Sequence, residues 1–258
     1  MNTFMADMSI LWPALIAGVL VSLSHVPLGR QVLTRGIVFI DLAIAQVAGV
    51  GVIAAHYFGL EVQGWMTQFA AVSAALLGAL LLTFTERKRP DVQEALIGIL
   101  FVLASTAQIL LLANDPHGGE DLKDLLAGQI LWVSPQQLLR GAVLTALFLL
   151  VWFRWRAHIG RVGFYVLFSL MVTVSVQLVG VYLVFTSLIV PAVATYRFAP
   201  ARQLRVGYAL ALASYVLGLG VSAATDLPSS AVIVWVMAAV ALVVHVVGGN
   251  ASANAKVK

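Results

Sequence analysis

The stretch QLVGVYLVFTSLIVPA, residues 177–192, decides how often this chain crosses a membrane. Read as one oily run it is a single crossing. Read with Gly180 as a break and Pro191 inside the second half, it is the junction of two segments, because Gly and Pro both punctuate helices. Working outward with the same punctuation, apolar runs fall at 9–28, 37–58, 65–84, 93–113 and 137–154 on the upstream side. They continue at 162–179, 181–196, 204–223 and 228–247, nine in all. The fifth, sixth and seventh lie near the lower limit of about 17 residues for crossing about 30 Å of hydrocarbon.

Composition agrees with that division. Of 258 residues, 61% are hydrophobic and only 10% are charged, against about 25% charged in a soluble domain. The expectation is an all-α polytopic membrane protein of about nine crossings, eight being possible, forming one transmembrane domain over 1–258. This excludes a soluble enzyme on a single anchor. The N-terminus, MNTFMADMSI, lacks Lys and Arg, unlike a signal peptide, so its first segment reads as a retained helix. Cysteine is absent, which removes disulfides, thiolate metal sites and cysteine nucleophiles.

Charge orients the spans, since Lys and Arg gather on the cytoplasmic side. With the N-terminus outside, Arg30, Arg35, Arg87, Lys88, Arg89, Arg154, Arg156, Arg161, Arg197, Arg202, Arg205, Lys256 and Lys258 all fall inside, 13 of 15 positives. The outer loops hold Asp7, Glu61, Asp115, Glu120, Asp121, Asp124 and Asp226, with Lys123 and Arg140. The C-terminal tail, 248–258, is then cytoplasmic. Fusing the sixth and seventh segments would turn Arg197, Arg202 and Arg205 outward, so the charge pattern favours nine. Residues 115–140 read as an outer loop followed by a short interfacial or re-entrant helix with Leu122, Leu125, Leu126, Ile130, Leu131 and Trp132. No folded basic surface for nucleic acid is present.

The chain also lacks the motifs of an enzyme. There is no Gly-Lys pair for a phosphate-binding loop, no G-x-S-x-G and no H-E-x-x-H. That leaves a channel, a secondary transporter, or the membrane subunit of a machine whose ATPase is another chain. The positive evidence is polar residues within oily segments, because an ionised Asp at a helix centre costs about 2.5–3.5 kcal/mol on insertion scales and commonly marks a pathway. Asp41, in RGIVFIDLAIAQVAGVG, is the clearest. It reads either as a cation or gate ligand or as a packing partner of an arginine such as Arg35. Gln46 follows on the same helix about 140° away around the axis. Gln108 reads as interhelical glue and Gln177 as glue or pathway. The five histidines, His25, His56, His117, His158 and His245, are scattered without a chelating pair. His25 has two readings, a packed neutral ring or a neighbour of Asp41 on the pathway. The break at Gly180 and Pro191 is either a path-lining interruption or a tight turn with a tolerated kink.

Five stretches together resemble the permease subunit of bacterial zinc, manganese or iron ABC importers. They are HVPLGRQVLTRGIVFIDLAIAQVAGVG (25–51), EALIGILFVLAS (94–105), LLAGQILWVSPQQL (125–138), QLVGVYLVFTSLIVPAVAT (177–195) and DLPSSAVIVWVMAAVALV (226–243). The fourth is the most specific. The resemblance implies the all-helical importer fold shared with vitamin B12 and siderophore permeases. It also implies a homodimer in the bacterial cytoplasmic membrane, an ATPase partner that binds and hydrolyses ATP, and an extracytoplasmic metal-binding protein. No covalently bound cofactor is implied; the divalent metal ion is the substrate. Docking of the binding protein falls on the acidic loop around 115–124.

In that family the second helix commonly carries Asp followed one turn later by His. Asp41 can stand for the Asp, but position 45 is Ala, and Gln46 stands one place further on. Gln offers a neutral oxygen, which suits a harder ion than imidazole does. The resemblance also assigns ATPase coupling to RWRAHIGRVG, 154–163, with Arg156, Ala157, Ile159, Gly160 and Arg161; the alternative is an ordinary positive-inside loop. Two other functions remain open from the residues. One is a gradient-driven secondary transporter with Asp41 as the relay, and the other is an importer of a chelated metal.

Overall fold

The computed structural model describes residues 2–60, 64–113, 115–116, 118–155 and 158–254, all helix, turn or loop. The helices are α1 (Asn2–Arg35), α2 (Ile40–Tyr57), α3 (Trp65–Lys88), α4 (Gln93–Leu112) and α5 (Gly118–Ala127), then α6 (Pro135–Trp155), α7 (Arg161–Val179), α8 (Val181–Thr195), α9 (Pro200–Thr225) and α10 (Ser229–Asn254). Single 3-10 turns lie at Pro90–Val92 and Ile130–Trp132. Among the described residues, eight helices are long and apolar enough to cross a membrane: α1 to α4, α6, α7, α9 and α10. The ninth apolar segment is α8, a separate helix of 15 residues. At 1.5 Å per residue it is about 22 Å long, short of the hydrocarbon thickness.

The chain divides into two compact units. The first comprises Met1–Arg35, Ala127–Thr145 and Leu178–Lys258. Here α8 packs against α1, α9 and α10, and this explains how so short and oily a helix is accommodated: nearly every side of it meets protein. Small residues allow close approach, as they do in membrane helix pairs generally. A methyl group on Gly29 of α1 would collide with the Leu188 carbonyl of α8, and one on Gly18 would strike the ring of Tyr215.

The first helix runs seven residues past the expected boundary at 28 because Pro27 does not end it. Proline removes the N–H that should donate to the carbonyl four residues back, here Leu23. The Tyr208 hydroxyl of α9 donates to that carbonyl at 3.2 Å. The orphaned acceptor is thus satisfied from another helix, which is the condition for a proline inside a span.

The second unit comprises Gly36–Leu126 and Ala146–Gln177, with α2 packed between α3 and α4. Its packing surfaces toward the two neighbours carry the small residues Ala43, Ala45, Ala48, Gly49, Gly51 and Ala55, all buried. A side chain at Gly51 would meet the backbone of Ala70 and Ala71. Conversely α4 exposes Ile99, Val102, Leu103, Ile109 and Leu110. Such a face is a liability in water and is suited to lipid. Tyr57, Phe58 and Trp65 stand exposed at the α2–α3 connection, where a membrane interface favours aromatic rings. The expected outer loop and interfacial helix resolve into α5 and the turn at Ile130–Trp132, with Ile130 buried and Trp132 exposed.

Candidate functional site

Asp41 sits in the first turn of α2 and is only 1% exposed; neither carboxylate oxygen has a hydrogen-bond partner among the described residues. Placement explains part of its tolerance, since the positive end of the helix dipole favours an anion in the first turn. Gln46, one and a half turns on, is 2% exposed. It faces α4, where the Gln108 amide donates to the Gln46 side-chain oxygen at 2.7 Å and to its backbone oxygen at 2.9 Å. The space for Gln108 exists because the facing residue is Gly49, where a methyl would meet Gln108 and Leu125 of α5. Gln108 is therefore interhelical glue, as its sequence suggested, and Gln46 is its partner.

Glu94 escaped the sequence reading. It occupies the first turn of α4 and its Oε1 accepts from the Phe39 N–H at 3.2 Å, closing the loop just ahead of α2. The other oxygen, Oε2, is buried without a partner. A signal was present, as Asp41 and Glu94 each stand alone at the start of an otherwise uncharged span. What sequence could not supply was that α2 and α4 pack side by side.

The remaining candidates are placed as follows. Gln177, half-buried, lies near the end of α7 in the second unit. In the first unit His25 is fully buried; its Nδ1 lies 2.9 Å from Ser24 Oγ and 3.0 Å from the Val21 carbonyl, while Nε2 has no partner among the described residues. Gly180 caps α8 with φ 83°, and its backbone abuts that of Gly128, at φ 71°. Pro191 is buried inside α8, against the space beside Gly207 of α9. In the coupling segment, Arg156 and Ala157 lie outside the described residues. Ile159 and Gly160 are non-helical and Arg161 begins α7, where it forms a 3.3 Å ion pair with Glu86. Among the described residues no three His, Asp or Glu gather into a metal-holding cluster.

A polytopic helical bundle whose oily spans bury a carboxylate and an amide pair defines a membrane protein with a polar interior, the class to which transporters belong. The chain belongs to the ABC 3 transport family, whose model matches residues 7–162 and 157–248. It is 26% identical over 133 residues to the "Probable metal transport system membrane protein" of Chlamydia trachomatis serovar D, a match covering 50% of this chain and 44% of that one. The chain thus matches less than half the length of that relative. In fold it is similar to PsaBC from Streptococcus pneumoniae, solved in complex with a Fab, with a TM-score of 0.76, 22% identity and 94% of each chain covered. It is also similar to an inward-facing metal-chelate type ABC transporter, with a TM-score of 0.69, 16% identity, and 90% of this chain and 84% of that one covered.

Proposed function

We propose that this chain is the membrane-spanning subunit of an ABC importer that carries a divalent transition-metal ion inward across the bacterial cytoplasmic membrane by alternating access. The observation that carries the reading is Asp41, buried and unpartnered within a span of a chain belonging to the ABC 3 transport family. A conducting site must hold its ion weakly enough to release it; a buried carboxylate without a hydrogen-bond partner among the described residues fits that demand. Oxygen donors favour manganese over zinc within the zinc, manganese and iron set.

In this reading two copies form the path and ATP is hydrolysed on a separate ATPase chain that docks at 154–163. An extracytoplasmic metal-binding protein delivers the ion to the acidic loop around 115–124. The N-terminus lies outside and the C-terminus in the cytoplasm, a placement the arginine distribution supports. Family membership supports ATP-driven over gradient-driven transport. The test is co-purification with the ATPase from mild detergent. Changing both Ile159 and Gly160 to Asp is expected to release the partner while leaving the chain folded. Retention of the ATPase by that variant, or metal uptake that survives ATP depletion but collapses with the membrane gradient, would overturn the reading.

A further inference from the structure

We propose that Asp41 and Glu94 together form a divalent-cation site between the paired starts of α2 and α4, the last station of the ion before release to the cytoplasm. This rests on the importer reading for its direction, though not for its chemistry. Three carboxylate oxygens, both of Asp41 and Oε2 of Glu94, are buried there without a hydrogen-bond partner among the described residues. The fourth, Glu94 Oε1, is committed to the Phe39 N–H at 3.2 Å, and this bond fixes the second carboxylate beside the loop that leads two residues later to Asp41. Phe39 and Asp41 lie within one turn of chain at the start of α2, so the bond to Phe39 brings the Glu94 carboxyl to the end of α2 that carries Asp41.

Two carboxyl groups brought together in a poorly solvated place repel each other when ionised, and unmade hydrogen bonds add their own cost. A helix cap explains one oxygen of the four and leaves three unexplained. A divalent cation resolves all three at once, its charge offsetting the repulsion and its coordination shell taking the free lone pairs. The donor set is oxygen only, which matches Mn²⁺ and other hard divalent ions that retain water ligands, and matches Zn²⁺ less well. The positive ends of two helices face the same place and oppose a cation, so binding is weak and the ion leaves readily. That is the behaviour required of an exit.

Glu94→Gln separates the cap from the charge, since the amide oxygen still accepts from Phe39 while the negative charge is gone. Mn²⁺ binding to the full chain in nanodiscs, followed by loss of the free-ion electron paramagnetic resonance signal, is expected to weaken on the order of tenfold in Glu94→Gln, the lower end of what even an outer partner of a metal ligand is worth. Asp41→Asn should weaken it at least as much, and Glu94→Asp should retain part of it. Unfolding temperature reports whether each variant is intact; Glu94→Ala, which loses the cap as well, is expected to melt earlier than Glu94→Gln. Equal Mn²⁺ binding by the wild type and Glu94→Gln, or no Mn²⁺ binding by the wild type at millimolar concentration, overturns the site. ATP-driven uptake with equal binding sinks the site and leaves the importer, whereas gradient-driven uptake with lost binding in Glu94→Gln does the reverse.

Discussion

Gly128 and Gly180 meet backbone to backbone, each in a conformation with positive φ, 71° and 83°. A methyl on Gly128 would strike the Val179 carbonyl and the Gly180 nitrogen; one on Gly180 would strike the Ala127–Gly128 peptide. The break between α7 and α8 is therefore held by the segment that follows α5, and neither glycine is free to change. Ala at either position should cost about 1–3 kcal/mol from the backbone strain alone, with the collision added. Thermal unfolding in detergent checks this against Gly220→Ala, where a methyl meets open space and a helix gains up to about 1 kcal/mol. Equal melting of all three variants would refute the account of the break.

Tyr208 and Pro27 should behave as a coupled pair. Tyr208→Phe leaves the Leu23 carbonyl without a donor, at a cost of about 0.6 kcal/mol and up to about 1.7 kcal/mol for hydrogen bonds between membrane helices. Pro27→Ala restores the backbone donor to that carbonyl. The cost of Tyr208→Phe should therefore shrink in the Pro27→Ala background, and a double-mutant cycle on unfolding free energies measures the difference. Strict additivity would mean that the hydroxyl does not compensate for the proline.

Gln108→Leu should destabilise the α2–α4 pair by the same order, about 0.6–1.7 kcal/mol, because Gln46 keeps its amide and loses the donor that satisfied it. Replacing Gln46 and Gln108 together by Leu and Met should recover part of that loss, since an apolar pair leaves nothing unsatisfied. A double variant less stable than Gln108→Leu alone would show that Gln46 contributes through some other contact.

Asp41→Asn should move stability and transport in opposite directions. Replacing a buried, unpartnered carboxyl by an amide of the same shape removes the cost of holding charge there, so the variant should melt higher. The same change removes the charge proposed to meet the ion, so uptake of radiolabelled Mn²⁺ by the assembled complex should fall by at least an order of magnitude while ATPase binding persists. If Asp41 merely fixed helix packing, Asn would melt lower and uptake would follow the amount of folded protein.

Much of this fold was legible in the amino-acid order because a membrane restricts the choices. Backbone groups within hydrocarbon must be satisfied inside each segment, so an uncharged run of sufficient length is a helix wherever it packs. The starts of α3 and α4 and the separation of α7 from α8 at Gly180 therefore follow from composition and punctuation alone, whereas α2 begins three residues after the expected position 37. Asp41 was legible for the same reason, since an acid stands out where charge is expensive. What the order of residues cannot carry is contact between distant segments. That Pro27 lies within α1 depends on a hydroxyl 181 positions later. Gly180 is fixed by Gly128, Gln46 is occupied by Gln108, and Glu94 acquires its meaning only beside Phe39 and Asp41. Each depends on which helices lie side by side, and because lipid and neighbouring helices are almost equally apolar, hydrophobic pattern cannot choose among partners. Small residues and a few buried polar atoms make that choice, and they do so only in three dimensions.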